Sequence, residues 1–182
     1  WNESIDLTVY LSFMLMISYC KFTTFVFMTD RNKLNAKFGN PVTDKAKFEK
    51  NNMVVWNCGQ EFDLPFKRMY VNAYILPKLQ ITFKALQSAG LLSEIETFGG
   101  CWIVRPVRGY ANLLSIHSWG IAIDLNVENN PLGWSRDKCI KMGLKPFSEV
   151  FVEVWRKTGW VCGFDFKRPD GMHFEFTKEF EG

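Results

Sequence analysis

This sequence has few histidines, no closely spaced cysteine pairs and little net charge. These features argue against several classes of protein. No two of the five cysteines form a Cys-x-x-Cys pair, which argues against a thiolate zinc knuckle. Their odd number and wide spacing also argue against a disulfide framework, so we expect buried, reduced thiols in a protein made in the cytosol. The net charge is only +3, from 22 basic and 19 acidic residues, and no run of lysine or arginine indicates nucleic-acid binding. The cysteines are Cys20, Cys58, Cys101, Cys139 and Cys162.

Hydrophobic and aromatic residues, by contrast, are abundant. Of the 182 residues, 47% are hydrophobic, 16% are aromatic and 23% are charged. This balance is typical of a globular protein and excludes wholesale disorder, collagen and coiled coils. The length corresponds to one domain. It is sufficient to bury a stable core without disulfides or structural metal ions. We expect most aromatic side chains in that core and some in the wall of a binding cleft.

The first 27 residues differ from the rest of the chain. Residues 7–20 are nearly all apolar, and residues 22–28 continue the pattern after Lys21. This falls short of the roughly 18 uninterrupted apolar residues of a membrane helix, and Glu3 and Asp6 stand where a signal peptide carries basic residues. Met28 begins a polar segment that is typical of a protein start. We therefore predict a non-native apolar leader at 1–27 and a functional domain at 28–182. An anchor at 7–28 and a genuine structural element are the alternatives.

Hydrophobic periodicity and turn residues predict an α+β fold. Helices are predicted over residues 28–38, 71–89 and 147–157, with Pro77 near the front of the second. Strands are predicted at residues 53–56, 101–104, 121–127 and 172–177, with a turn at 129–133 and a loop-rich stretch over most of 41–70. Irregular alternation of helices and strands favours a single domain, with a small antiparallel sheet flanked by helices.

The only two histidines lie near acidic residues in two short segments. Asp124 is seven residues after His117, and Gly120 between them permits a tight turn. Strand alternation places Asp124 on the face opposite Ile121 and Ile123. With His173 near the start of the last predicted strand, two imidazoles and one carboxylate provide three protein ligands for zinc and leave a fourth position open, as in catalytic zinc sites. The alternative is that both histidines are ordinary hydrogen-bonded polar residues.

The surroundings of these residues resemble a known family. Its two-part signature is matched by Ser115-x-His117-x-x-Gly120-x-Ala122-x-Asp124 and by Asp170-x-x-His173-Phe-Glu175, in the right order and separation. The pattern is similar to that of the D-alanyl-D-alanine carboxypeptidase and L-alanyl-D-glutamate endopeptidase family of zinc peptidases, which includes VanX-like and VanY-like enzymes and phage endolysins. The similarity extends from about residue 28 to 176 and includes Arg105-Pro-Val-Arg108-Gly109 and the turn with Asn126, Asn129 and Gly133.

The resemblance implies a role for each matching residue. His117, Asp124 and His173 match the zinc ligands. Asp170 matches the acid/base that takes a proton from the attacking water and passes it to the leaving amine. The resemblance further implies that Arg105 or Arg108 stabilises the oxyanion, and that Ser115, Asp165 and Glu175 contact the substrate. For Ser115 a local cap is the alternative, and for Glu175 a contact to His173 or a competing role as the base.

One segment departs from the family pattern. Many relatives carry Trp-Gly-Gly-Asp before the last histidine, and here the equivalent is Cys162-Gly163-Phe164-Asp165. The change alters the cleft wall but not the ligands. Because no third histidine is available as its base, Cys162 is not expected to act as a nucleophile.

The resemblance therefore implies a zinc metallopeptidase that hydrolyses stem peptides of peptidoglycan. An endolysin-like L-alanyl-D-glutamate endopeptidase is favoured by analogy. The alternatives are a D-alanyl-D-alanine carboxypeptidase and a non-catalytic zinc-binding domain of the same fold. We expect a monomer that is made in the cytoplasm and acts at the bacterial cell wall or periplasm, as in phage lysis. From residue 28 onward we expect no stable association with membranes and none with nucleic acid.

Overall fold

The computed structural model describes residues 29–181, so the predicted leader at 1–27 and the alternative anchor at 7–28 lie outside the described residues. Within residues 29–181, none of the helices combines the length and the apolar sequence that a membrane crossing requires.

Between residues 29 and 90, a two-stranded sheet is accompanied by three α-helices. Asp30 and Asp44 cap the first two of these described helices by accepting hydrogen bonds from the amides of Asn32 and Lys47. The third helix has Pro in its first turn, as predicted, and buries Leu79, Phe83 and Leu86. The elements are α1 (Arg31–Phe38), α2 (Lys45–Asn52), β1 (Met53–Trp56), the antiparallel β2 (Met69–Asn72) and α3 (Leu76–Ser88).

A four-stranded antiparallel sheet forms the centre of the C-terminal half. The strands are β3 (Phe98–Gly100), β6 (Ala122–Leu125), β7 (Val161–Cys162) and β8 (His173–Glu175). Their spatial order is β3-β6-β8-β7, and the register of β6 against β8 sets Asp124 directly opposite His173. A hairpin of β4 (Pro106–Val107) and β5 (Tyr110–Leu114) lies between the first two of these in the chain.

Helix α5 (Glu149–Lys157) packs against the sheet, and the shorter α4 (Arg136–Lys141) precedes it. The buried face of α5 carries Phe151, Val152 and Trp155. The Trp155 ring stacks on Phe174 of β8 with centroids 4.3 Å apart. These residues join one hydrophobic core that also includes α3 and the β1–β2 sheet. The predicted α+β domain, with a small antiparallel sheet and flanking helices, is therefore confirmed.

Several predicted element boundaries were wrong. The segment 101–104, predicted as a strand, is irregular, because the amide of Ile103 donates to the carbonyl of His117 and not to a neighbouring strand. The strand lies earlier in the chain, at Phe98–Gly100. The stretch 41–70 contains α2 and the start of β2, and the helix predicted at 71–89 begins only at Leu76. Helix α4 was not predicted. The strands at 53–56, 121–127 and 172–177 are confirmed, the last two in shorter form.

Candidate metal centre

Two strands and one turn bring His117, Asp124 and His173 together. His117 lies in a short 3-10 turn, Ile116–Trp119, that leads into β6. Gly120 ends this turn with φ of 67°, where a side chain is strained, and a Cβ there would lie 2.7 Å from the sulfur of Met53. The pairing of β6 with β8 places Asp124 and His173 opposite each other.

The three facing atoms form a nearly equilateral triangle. His117 Nε2, Asp124 Oδ1 and His173 Nδ1 are 3.1 Å apart on each side. In a regular tetrahedron with zinc bonds of about 2.0–2.1 Å, ligand atoms lie roughly 3.3 Å apart. The observed spacing therefore suits a tetrahedral ion with three protein ligands, and this set is a group able to hold a metal.

The outer nitrogens of both imidazoles already have acceptors. His117 Nδ1 donates to the carbonyl of Cys101 at 2.8 Å, and His173 Nε2 donates to Glu175 Oε2 at 3.0 Å. Because these nitrogens carry the protons, the lone pairs of His117 Nε2 and His173 Nδ1 face each other across 3.1 Å. Two lone pairs and a carboxylate at such a distance require a proton or a cation between them, and the residues present thus fit a zinc ion.

Electrostatics agree with a cation-binding cluster. Burial acts to raise the pKa of Asp124, but its contacts with the imidazoles of His117 and His173 outweigh it and hold that pKa well below its usual range. Burial acts to lower the pKa of His173, but Asp124 and Glu175 raise it to about 10. Burial likewise opposes ionisation of Glu175, yet its contact with His173 lowers the pKa of this carboxyl. Both carboxylates are therefore negative at neutral pH.

Asp170 lies beside this cluster, and its pKa is shifted upward, whereas those of Asp124 and Glu175 are lowered. Burial raises the pKa of its carboxyl, the charges of His173 and His117 act to lower it, and that of Asp124 adds to the rise. Its Oδ1 is buried and has no hydrogen-bond partner. A carboxylate with a raised pKa and an unpartnered oxygen suits a group that accepts and releases a proton.

The two candidate arginines have different surroundings. Arg105 is half-buried, and its guanidinium donates to the carbonyl of Pro106. Arg108 is exposed between β4 and β5, and its charge is among those that lower the pKa of Asp170. The structure thus relates Arg108 to the site electrostatically. Ser115 is buried at the start of the 3-10 turn but makes no side-chain cap, so the alternative of a local cap is not observed.

Asp165 and Glu175 have protein partners that differ from the predicted substrate contact. Both carboxylate oxygens of Asp165 accept from Arg156, at 3.1 and 2.8 Å. Glu175 is buried and contacts His173 and the hydroxyl of Thr177, which is the alternative that the sequence left open for it. A substrate contact stays a prediction for both residues.

The sequence did not indicate the partners that hold the ligands. The Cys101 carbonyl is a backbone group with no residue signature, and Thr177 is simply two residues beyond Glu175. The described cysteines, Cys58, Cys101, Cys139 and Cys162, are free and buried, as predicted. Burial raises the pKa of Cys162 to about 12, which agrees with its exclusion as a nucleophile.

A family-level comparison covers the part of the chain that contains the site. Residues 108–176 match a family model described as D-alanyl-D-alanine carboxypeptidase. The match includes the three clustered residues, Asp170 and Arg108, and excludes Arg105. No curated protein and no solved structure matches the chain. The family match supports a peptidase of this kind, one that acts on peptidoglycan at the cell wall.

Proposed function

We propose that this chain is a zinc-dependent peptidase that hydrolyses a peptide bond in the stem peptides of bacterial peptidoglycan. The main support for this proposal is that His117 Nε2, Asp124 Oδ1 and His173 Nδ1 lie 3.1 Å from one another. Beside it lies a carboxyl group with a raised pKa and an unpartnered oxygen, that of Asp170. The family match over residues 108–176 supports the same reaction class.

Each residue of the site has a separate role in the proposed reaction. When bound, a zinc ion supplies Lewis acidity, which lowers the pKa of water to about 7 and polarises a carbonyl. Asp170 takes a proton from the water as its oxygen attacks the carbonyl carbon, and then gives that proton to the leaving amine as the C–N bond breaks. The positive charge of Arg108 stabilises the negative oxygen that develops on the former carbonyl. Glu175 and the Cys101 carbonyl fix the orientation of the two imidazoles.

Two bonds of the stem peptide are candidates. We propose the L-alanyl–D-glutamate bond on the resemblance to endolysins. Removal of the terminal D-alanine is the second candidate, because the matching family model carries that description. Asp170 argues against a non-catalytic zinc-binding domain, since metal binding by the three clustered residues does not need it. The proposal also includes a monomer that is made in the cytoplasm and acts at the cell wall, with phage lysis as its setting.

The test uses soluble muropeptides that contain both bonds, with products identified by mass spectrometry. The zinc-loaded full chain should release a fragment with a new D-glutamate amino terminus. Loss of one terminal alanine would instead assign the carboxypeptidase. Asp170→Asn should lower kcat by about a hundredfold or more while zinc stays bound, because it removes the proton acceptor but keeps the shape.

The matched control is Asp63→Asn, which makes the same change at an exposed carboxylate between β1 and β2. It should leave kcat and zinc content unchanged. Full activity of Asp170→Asn would contradict the assignment of the acid/base. No hydrolysis by a folded, zinc-loaded wild-type chain would contradict the proposed function and favour the binding domain.

A further inference from the structure

The backbone around Asp170 is held directly against the segment Gly163–Asp165. The amide of Asp170 donates to the carbonyl of Gly163 at 2.8 Å. A Cβ at Gly163 would lie 2.2 Å from the Asp170 carbonyl oxygen, so the two backbones touch with no room for a side chain. These contacts tie the backbone of Asp170 to that of Gly163, two residues before Asp165. We refer to residues 163–171 as the acid/base loop.

A bidentate ion pair fastens this loop to helix α5. Arg156 Nε and Nη2 donate to the two oxygens of Asp165 at 3.1 and 2.8 Å. The paired fork geometry fixes direction as well as distance. Arg156 itself has a rigid base, because the adjacent Trp155 is fully buried and stacks on Phe174 in the core. The pair thus connects the loop to the rigid core of the domain.

A second contact holds the neighbouring residue of the loop. The Phe164 ring covers Gly171, where a Cβ would lie 2.4 Å from the ring. The Arg136 guanidinium lies 5.0 Å from the centroid of the same ring. Arg136 also pairs with Glu149, which accepts from Arg156 at 2.8 Å. The two anchors are therefore joined into one charged network on the outer face of α5.

We infer that Arg156, acting through Asp165, is a positioning residue that holds the acid/base loop and with it Asp170. The inference rests on the proposed function of Asp170 as the acid/base. It gives Asp165 a role other than the predicted substrate contact, because both of its oxygens are engaged by Arg156. A displaced acid/base impairs proton transfer, and the ion-pair partners of Arg156 and Asp165 do not include His117, Asp124 or His173.

The test compares Asp165→Asn and Arg156→Gln with the wild-type chain on muropeptides. We expect kcat to fall by about tenfold to a hundredfold with KM changed by less than about twofold, since a small misplacement of a reacting group costs this much. Zinc content should be unchanged. Arg156→Lys keeps the charge but loses the fork, so it should recover part of the lost kcat.

Glu153→Gln is the matched control on the same helix. Glu153 accepts from Arg156 at 3.3 Å, so the variant removes one of this arginine's ion pairs without touching Asp165. Its kcat should equal that of the wild type. Hydrogen exchange of the metal-free proteins gives a readout that does not need activity. The amide of Asp170 should exchange faster in Asp165→Asn than in wild type or Glu153→Gln.

The outcomes separate this inference from the proposed function. An unchanged kcat in Asp165→Asn, with an active wild type, would overturn the positioning role. A raised KM with unchanged kcat would also overturn it and establish the substrate contact. If the wild-type chain is inactive, the proposed function fails, and unchanged exchange at Asp170 would then refute the anchoring as well.

Discussion

Replacement of Glu175 should weaken metal binding although this residue is not one of the three clustered ligands. Its Oε2 accepts from His173 Nε2 at 3.0 Å, and its Oε1 accepts from the Thr177 hydroxyl at 3.0 Å. The buried carboxylate therefore fixes the tautomer of His173 and adds negative charge behind it. Glu175→Gln keeps the shape and an acceptor but removes the charge, and Glu175→Ala removes both.

The expected loss of zinc affinity follows from the contact to His173 that each Glu175 variant weakens or removes. Outer partners of this kind change metal affinity by about tenfold to a hundredfold, equal to about 1.4–2.7 kcal/mol. We expect Glu175→Gln near the lower figure, because the hydrogen bond survives, and Glu175→Ala near the upper one. Competition with a fluorescent zinc chelator at fixed pH measures the Kd of each variant.

Glu179→Gln provides the control, since it makes the same change four residues along the chain, on an exposed residue that contacts Tyr74. Its zinc Kd should equal that of the wild type. Wild-type zinc affinity in both Glu175 variants would exclude a role of Glu175 in metal binding. A raised KM with unchanged zinc affinity would instead assign Glu175 to the substrate, as the sequence first suggested.

Further predictions concern the proton, the oxyanion and the acid/base loop. Without metal, the pKa of His173 is raised to about 10, so below that pH a proton occupies the site and competes with the ion. Zinc affinity should therefore rise by about tenfold per pH unit between roughly 7 and 9 and fall as the pH is lowered, as titration calorimetry would show; a pH-independent Kd would contradict this. Arg108→Ala should lower kcat by about a hundredfold or more, whereas Arg105→Ala should have a small effect in the same muropeptide assay; the reverse order would exchange their roles. Gly163→Ala should lower kcat and the melting temperature together, because the new Cβ would lie 2.2 Å from the Asp170 carbonyl oxygen; wild-type values for both would show that the loop is not held as described.

Short-range rules predicted the local placement of the three clustered residues, and the family resemblance implied that they act together as metal ligands. Gly120 allows the tight turn after His117, and strand alternation sends the Asp124 side chain away from the isoleucines. The same rules predicted the strand that carries His173. The resemblance supplied the pairing of these two segments, and the register of β6 with β8 places Asp124 opposite His173.

The contacts that orient the site depend on tertiary structure and were not predictable in the same way. Cys101 contributes a backbone carbonyl to His117, and such a group has no signature in the sequence. The partner of Asp165 is nine residues earlier on a helix, and only packing of α5 against the sheet brings them together. Helices α2 and α4 each bury one residue, Phe48 and Cys139, so they lack the periodicity that marks a longer helix.

Zinc-dependent peptidase activity is tested most simply by following hydrolysis of muropeptides as zinc is added to the metal-free full chain. We expect no activity without metal and a linear rise that ends at about one zinc per chain, since residues 29–181 contain one cluster of three side chains able to hold a metal. Asp124→Ala should remain inactive at that stoichiometry. Full activity of the metal-free chain, or unchanged activity of Asp124→Ala at one zinc per chain, would contradict the account.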